Sequence, residues 1–210
     1  SRRQRQMCIR DSGIDNDAVA AVLGEYYFGA GKNSKRLLMV TLGTGIGVAL
    51  LDNGKPFRTS DGQHPEAGHI PVSGNPTTCY CGLRGCWEML ASRTWLQQNL
   101  ETLLPEHPFE KKDINFYKEM AKEREDIASV FHRYGNYLGR GLVTLLTLYG
   151  PDLTILSGSA AHYYPLFKEG LEESLTRADA YEINMKIVPS ELGDTCLLYT
   201  SPSPRDYAAS

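Results

Sequence analysis

One histidine and three of the chain's five cysteines fall in a single short stretch, "HIPVSGNPTTCYCGLRGC", residues 69 to 86. Imidazole and thiolate groups at such short intervals are the donors that a tetrahedral zinc ion takes. Protein groups fill all four positions, which is typical of a structural zinc site rather than a catalytic one. Free thiols without a metal are the alternative that spacing alone leaves open. The predicted zinc ligands are His69, Cys79, Cys81 and Cys86.

A glycine-rich segment, "TLGTGIG", begins at Thr41, between two runs of apolar residues. The pattern predicts a strand, a glycine turn and a second strand, with a hairpin signal at Asn53-Gly54 after the second. Glycines let backbone N–H groups approach an anion, and Thr44 adds a hydroxyl donor, so the turn suits phosphate binding. A plain turn between two strands is the alternative reading.

Asp17 stands at the start of a segment with apolar residues at helical spacing, "DAVAAVLGEYYF". Asp15 or Asn16 is placed to cap the predicted helix. At a helix N-terminus the dipole favours an ionised carboxylate, which can accept a proton from a substrate. A carboxylate there also serves as an ordinary helix cap, and Asp17 by itself does not distinguish the two roles.

These candidate residues lie on a chain whose pattern alternates between strands and helices. Residues 58–86 show no periodicity and predict a long loop that needs something to fix it. The other predicted elements are helices over 86–104, 113–124, 127–149 and 164–178, a buried strand in "PDLTILSGSA" and a strand near 185–188. Strand, glycine turn and helix alternate, so the fold class is α/β.

Both ends of the chain carry an unusual coincidence. Residues 7–11 read "MCIRD" and residues 196–201 read "CLLYTS". A single DNA sequence can encode both peptides. One of its strands encodes "CLLYTS", and the complementary strand encodes "MCIRD". This is expected when a sequencing-library adapter has been joined to both ends of a gene fragment. We therefore interpret residues 1–12 and 196–210 as adapter-derived and residues 13–195 as the authentic segment, which we expect to start and stop within a gene.

Charge and hydropathy exclude several classes of function. The formal net charge of the 210 residues is −3, and leaving out the five arginines and two aspartates of the ends moves it to −6. No basic patch remains for nucleic acid. No stretch is long and apolar enough to span a bilayer, and no apolar signal-peptide core is present, so a cytoplasmic protein is expected.

Four stretches, taken in order, resemble the ROK family of bacterial sugar kinases and sugar-responsive repressors. The most specific part of this resemblance is the pattern of one histidine and three cysteines followed by Glu88. The resemblance covers essentially all of residues 13–195. The matching stretches are "DNDAVAAVLGE" at 15–25, "TLGTGIG" at 41–47, "PEAGH" at 65–69 with "CYCGLRGCWE" at 79–88, and "PDLTILSGS" at 151–159.

The resemblance implies an actin-like ATPase (ribonuclease H-like) fold, of which this chain holds largely the second domain, and a glucokinase-like enzyme that uses ATP and Mg²⁺. Asp17 would be the catalytic base that takes a proton from the sugar hydroxyl, within the sugar-contacting set Asn16, Asp17, Glu66, His69 and Glu88. The residues near the nucleotide would be Gly43, Thr44, Gly45, Gly158 and Ser159. Zinc would order the loop 66–88 that carries the sugar contacts, and the whole protein would be a homodimer.

The chain departs from the family pattern at its N-terminus, where the family's first phosphate hairpin and much of the first domain are absent. We therefore expect this fragment to be inactive by itself. Two alternatives to a kinase stay open: a sugar-responsive repressor whose N-terminal helix-turn-helix is missing, and a zinc-stabilised binding module without catalysis. The four side chains Asp17, Glu66, His69 and Glu88 favour the kinase, acting on a hexose or an N-acylhexosamine.

Overall fold

A mixed five-stranded sheet forms the centre of the molecule, in a computed structural model that describes residues 17–73, 77–109, 113–176 and 186–193. The strand order across the sheet is β3-β2-β1-β4-β5. The strands are β1 (Arg36–Leu42), β2 (Ile46–Asp52), β3 (Lys55–Pro56), β4 (Leu153–Ser157) and β5 (Ile187–Pro189). Asn16, one of the predicted sugar contacts, lies outside the described residues.

The register of the sheet brings two predicted nucleotide segments to one edge. β1 pairs antiparallel with β2 and parallel with β4, and Thr41 is the partner of both Gly47 and Ser157. The glycine turn that follows β1 and the Gly158 that follows β4 therefore leave the sheet side by side. The other predicted turn is also confirmed, because Asn53 and Gly54 both have positive φ (50° and 77°), as a two-residue hairpin turn of this type requires.

Six α-helices surround the sheet within the described ranges. They are α1 (Asp17–Phe28), α2 (Glu88–Ala91), α3 (Arg93–Leu103), α4 (Ile114–Glu123), α5 (Glu125–Tyr149) and α6 (Tyr164–Thr176). None of them combines the length and apolar character that a membrane span needs.

The helix predicted over 86–104 is observed as two helices, because the chain is extended at Ser92 (φ −79°, ψ 163°). The Ser92 hydroxyl accepts a hydrogen bond from the Trp95 N–H at 3.3 Å and so caps α3. Periodicity did not predict this break, since apolar residues continue through it. The break lets Arg93 and Thr94 begin a new helix that faces the glycine turn.

Each face of the sheet has its own hydrophobic cluster. On one face, the apolar side of α1 packs against β1 and β2, with Val22, Leu37 and Leu51 fully buried. On the other face, α5 and α6 pack closely on each other and cover the sheet, and Phe131 of α5 and the indole of Trp87 are buried there. The helix that begins with Asp17 is thus fixed to the two strands that hold the glycine turn.

A buried carboxylate ties α1 to the last described segment of the chain. Glu25 is fully buried, and its carboxylate accepts hydrogen bonds from the Ala30 N–H at 2.8 Å, from the Leu192 N–H at 3.0 Å and from the Ser190 hydroxyl. Three donors satisfy a charge that would otherwise be costly to bury. Glu25 therefore joins the helix that begins with Asp17 to a segment far away in sequence.

We expect Glu25→Gln to lower the free energy of unfolding by about 2–3 kcal/mol, because the amide turns an NH₂ group toward at least one buried donor. Urea denaturation followed by circular dichroism measures the change. Glu172→Gln is the matched control, since Glu172 is an exposed helical glutamate with a side chain 59% accessible. A Glu25→Gln protein as stable as this control would contradict the role assigned to Glu25.

Candidate active site

The histidine and three cysteines predicted as zinc ligands lie together. Their ligand atoms are all within 4.8 Å of one another. The Cys81 and Cys86 sulfurs are 3.6 Å apart, and the Cys79 sulfur is 3.6 Å from His69 Nδ1. None of these three cysteines forms a disulfide bond. We refer to His69, Cys79, Cys81 and Cys86 as the thiol cluster.

Two tight loop contacts bring the thiol cluster together. Pro71 bridges to Cys86, and Thr78 bridges to Arg84, so the loop folds back on itself twice. Gly85 has a φ of +70°, and a Cβ there would stand 2.1 Å from the Ser73 carbonyl oxygen. A side chain at this position would therefore push the two arms of the loop apart.

Trp87 anchors the cluster to the core. Its side chain is fully buried next to Cys86, and its indole N–H donates to the Tyr137 carbonyl oxygen at 3.1 Å. Gly141 of α5 makes room for the ring, because a Cβ there would lie 2.2 Å from the indole. The cluster thus sits on α5 rather than at the end of a free loop.

The geometry of the thiol cluster fits a tetrahedral metal ion. Around a zinc ion with bonds of about 2.3 Å to sulfur, neighbouring sulfurs stand about 3.8 Å apart, close to the Cys81–Cys86 separation. Burial, followed by the neighbouring Cys81 and Cys79 groups, raises the pKa of Cys86 to about 12. A metal ion supplies the positive charge that stabilises buried sulfurs as thiolates. The donor set of one imidazole and three thiols is one that zinc accepts, so the residues present fit the predicted ion.

Glu88 connects the thiol cluster to the glycine turn. It is 7% exposed, and its Oε1 lies 3.3 Å from both Cys79 Sγ and His69 Nδ1. Its Oε2 faces the other way, since a Cβ on Gly45 would stand 2.6 Å from this atom. One carboxylate therefore touches both features that the sequence singled out, and Gly45 leaves the space for it.

The glycine turn is held by the start of α3. The Arg93 N–H donates to the Gly43 carbonyl at 2.9 Å, and the Thr94 hydroxyl donates to the Thr44 carbonyl at 2.8 Å. Thr44 itself is exposed. These bonds fix the conformation of the turn before any ligand arrives, which is the preorganisation that backbone recognition of an anion needs.

Gly158 lies against the residue that precedes the glycine turn. Its φ is +84°, and a Cβ there would stand 2.8 Å from the backbone nitrogen and oxygen of Leu42. Ser159 follows and begins a 3-10 helix (Ser159–Tyr163). The structure therefore places Gly158 against Leu42, the residue directly before the glycine turn.

Asp17 is exposed and is the first residue of α1. The next residue, Ala18, has its methyl 3.3 Å from the point where a Cβ on Gly47 would stand. Gly47 is the second residue of β2, directly after the glycine turn. The start of α1 thus lies beside the beginning of β2, the strand that follows the glycine turn.

Glu66 lies directly before the 3-10 helix Ala67–His69, and its carbonyl accepts the His69 N–H at 3.1 Å. Its side chain is 69% exposed, and its Oε1 lies 3.2 Å from His64 Nε2. Gly68 packs on Ile46, since a Cβ there would stand 2.3 Å from its carbonyl oxygen. This contact places the Glu66–His69 segment over the beginning of β2.

Sequence reasoning missed two polar partners of this site. His64 pairs with Glu66, and the Tyr80 hydroxyl lies 3.2 Å from His69 Nε2. A histidine two residues before a candidate glutamate was a signal for the first contact. Nothing in the pattern pointed to Tyr80, because a residue between two cysteines of a loop can face any direction.

A repressor and a glucokinase are among the known proteins whose sequences are similar to this chain. The chain is 31% identical over 193 residues, 86% of its length, to the xylose repressor of Bacillus subtilis, of which it covers 46%. It is 32% identical over 157 residues, 69% of its length, to the glucokinase of Thermotoga maritima, of which it covers 49%. The chain therefore spans about half the length of the curated relatives it matches.

A solved structure shows the same architecture. The ROK family glucokinase from Streptomyces griseus, crystallised with glucose and AMPPNP, superposes with a TM-score of 0.74 at 26% identity. The match covers 90% of this chain and 66% of that one. The predicted fold class is confirmed: this is a mixed α/β fold whose structural neighbours are ROK sugar kinases with the actin-like ATPase fold.

A family model for the ROK family matches residues 6–196, a range that also overlaps the two segments interpreted as adapter-derived. Glucokinases and sugar-responsive repressors are both among the relatives. Together with the thiol cluster, the glycine turn and the shared architecture, this match shows that the chain belongs to the ROK family.

Proposed function

We propose that the whole protein carrying this chain is an ATP-dependent kinase of a hexose or an N-acylhexosamine. The observation that supports this most is the position of Glu88, one carboxylate in contact with both the thiol cluster and the glycine turn. A sugar held by this carboxylate would lie next to any phosphate held by the turn. Proximity of this kind is the main requirement of phosphoryl transfer.

The sugar side of the proposed site consists of Glu66, His69 and Glu88, with Asn16 as a further contact outside the described residues. Carboxylates accept hydrogen bonds from sugar hydroxyls, and an imidazole can donate or accept. His69 and Glu88 are largely buried, with side chains 16% and 8% exposed. Buried, oriented groups of this kind discriminate between hydroxyl patterns, because a missing hydroxyl leaves them without a partner.

Asp17 is the proposed general base. It would accept the proton of the sugar hydroxyl while that hydroxyl attacks the γ-phosphorus of ATP. An ionised carboxylate is the form that can accept this proton. Asp17 is the first residue of α1. The packing of α1 on the sheet and the hydrogen bonds of Glu25 both hold this helix in place.

On the nucleotide side, Gly43, Thr44, Gly45, Gly158 and Ser159 are the proposed contacts to ATP. Their glycines let the backbone approach the phosphates, and the hydroxyl of Thr44 can donate to one of them. Mg²⁺ bound with ATP would neutralise charge on the phosphates during transfer. Zinc, held by the four residues of the thiol cluster, would supply structural stability rather than take part in the transfer.

Glu66→Gln tests the sugar side of this proposal. We expect the affinity for the hexose to fall about 10- to 100-fold, because a carboxylate that accepts from sugar hydroxyls becomes an amide. The affinity for AMPPNP should change less than about twofold, since Glu66 is not among the nucleotide contacts. Titration calorimetry on the whole zinc-loaded protein measures both.

Asp61→Asn is the control for this experiment, because Asp61 is an exposed loop carboxylate of the same stretch, bonded to Thr59. It should leave both affinities unchanged. A Glu66→Gln protein that lost nucleotide affinity and kept sugar affinity would contradict the placement of Glu66.

The second candidate function is a sugar-responsive transcriptional repressor. The observation in its favour is that the xylose repressor of Bacillus subtilis is 31% identical to this chain. The same sugar site would then serve as a sensor, and DNA would bind to a separate domain. Sugar-dependent production of ADP by the whole protein favours the kinase, and sugar-dependent release from DNA without ADP production favours the repressor.

A further inference from the structure

Tyr80 is the most exposed large hydrophobic side chain among the described residues of the loop 66–88, yet its hydroxyl has a partner. The residue is 84% exposed, and the hydroxyl lies 3.2 Å from His69 Nε2. The two rings also meet edge to face, with centroids 5.1 Å apart at an angle of 84°. An exposed tyrosine without a partner would extend into water, so this inward contact needs an explanation.

The nitrogen that Tyr80 contacts is the one that faces away from the thiol cluster. His69 Nδ1 lies 3.6 Å from Cys79 Sγ and 3.3 Å from Glu88 Oε1, so this nitrogen is directed at the cluster. Nε2 is therefore the nitrogen left for a sugar hydroxyl in the proposed site. Tyr80 places an oxygen on that atom.

The other proposed sugar contacts are bonded to the same histidine. His69 Nδ1 lies 3.3 Å from Glu88 Oε1, and the His69 N–H donates to the Glu66 carbonyl at 3.1 Å. Through His69, the Tyr80 hydroxyl is therefore joined to the residues that carry both carboxylates. The hydroxyl of Tyr80 lies where the groups proposed to bind the sugar converge.

We propose that Tyr80 is a gate of the sugar site: its hydroxyl occupies one sugar-hydroxyl position in the sugar-free protein and leaves when the sugar binds. This inference rests on the proposed function. A phenol hydroxyl donates one hydrogen bond and accepts others, as a sugar hydroxyl does, so the exchange keeps the buried groups partnered in both states. A sugar must then displace the Tyr80 hydroxyl from His69, and this competition lowers the affinity of the site for the sugar.

The gate lowers sugar affinity by a limited factor. A site open for only a fraction of the time binds with an affinity reduced by that fraction. One neutral hydrogen bond corresponds to roughly a 2- to 10-fold change in a binding constant. Rotation of an exposed side chain is fast, so the gate acts on affinity rather than on the rate of entry.

Tyr80→Phe tests the gate, because it removes the hydroxyl and keeps the ring. Titration calorimetry on the whole zinc-loaded protein, with glucose and with N-acetylglucosamine, should show about 2- to 10-fold tighter binding of the accepted sugar. AMPPNP affinity and zinc content should stay at wild-type values. Tyr27→Phe is the matched control, since Tyr27 is an exposed tyrosine (58%) in α1 and should leave sugar affinity unchanged.

Each outcome of this experiment is decisive. Equal sugar affinity in wild type and Tyr80→Phe would overturn the gate while leaving the proposed function in place. Weaker binding in Tyr80→Phe would also overturn it, because the hydroxyl would then hold the sugar instead of making way for it. If the wild type bound neither these two sugars nor any other hexose or N-acylhexosamine of a panel, the proposed function would fail and the inference with it.

Discussion

Replacing Asp17 with asparagine should reduce sugar-dependent ATP turnover about 10³-fold, because the amide cannot accept the proton of the attacking hydroxyl. Sugar affinity should stay within a few-fold of wild type, since an asparagine still accepts and donates hydrogen bonds. A coupled assay of ADP production measures turnover, and titration calorimetry measures sugar binding. The pattern of lost turnover with retained binding is expected of a group that acts only in the transition state.

The Asp17→Asn substitution also distinguishes a catalytic role of Asp17 from a role as a helix cap. Asparagine is as good a residue as aspartate at a helix N-terminus, so the melting temperature should stay almost unchanged. Glu125→Gln is the matched control, because Glu125 is an exposed acidic residue at the first position of α5. If Asp17→Asn turned over at the wild-type rate, Asp17 would be a cap and not the base.

Removing one ligand of the thiol cluster should have the second large effect. We expect Cys81→Ser to lose most of its zinc and to lower the free energy of unfolding by roughly 3–5 kcal/mol, since metal binding contributes directly to folding. Sugar binding should weaken at least about 100-fold, because the loop that holds Glu66 and His69 is no longer fixed. Metal analysis, thermal melting and calorimetry measure the three changes.

Cys81 is the informative ligand because its side chain is exposed. Serine at this position leaves no cavity in the core, unlike a substitution of the fully buried Cys86. Leu83→Ala, at an exposed position of the same loop, is the control and should keep both zinc and sugar binding. A chelator should destabilise the wild type and leave Cys81→Ser unchanged, and equal effects on both proteins would contradict a metal held by the cluster.

The parts of the site that the sequence could predict are local. His69 and the three cysteines stand within one loop, and their types and spacing indicate a metal-ligand set without knowledge of the fold. The hairpin at Asn53-Gly54 and the glycine turn were predicted for the same reason. Each depends on residues that are close along the chain, where backbone preferences act directly.

The parts that could not be predicted depend on contacts between distant segments. The register between β1 and β4 brings Gly158 against Leu42, and no pattern within either strand sets that register. Glu25 looks like a polar residue of an amphipathic helix, and only the return of Ser190 and Leu192 explains its burial. The break at Ser92 also follows from tertiary structure, because α3 begins where Arg93 and Thr94 meet the glycine turn.

Sugar-dependent ADP production by the whole zinc-loaded protein, measured across a panel of hexoses and N-acylhexosamines, tests the central proposal most directly. We predict that at least one of these sugars raises ADP production far above the rate with ATP alone, and that the Asp17→Asn protein loses this increase. A protein that holds zinc, binds ATP and binds a sugar of the panel, yet transfers no phosphate to it, would contradict the kinase.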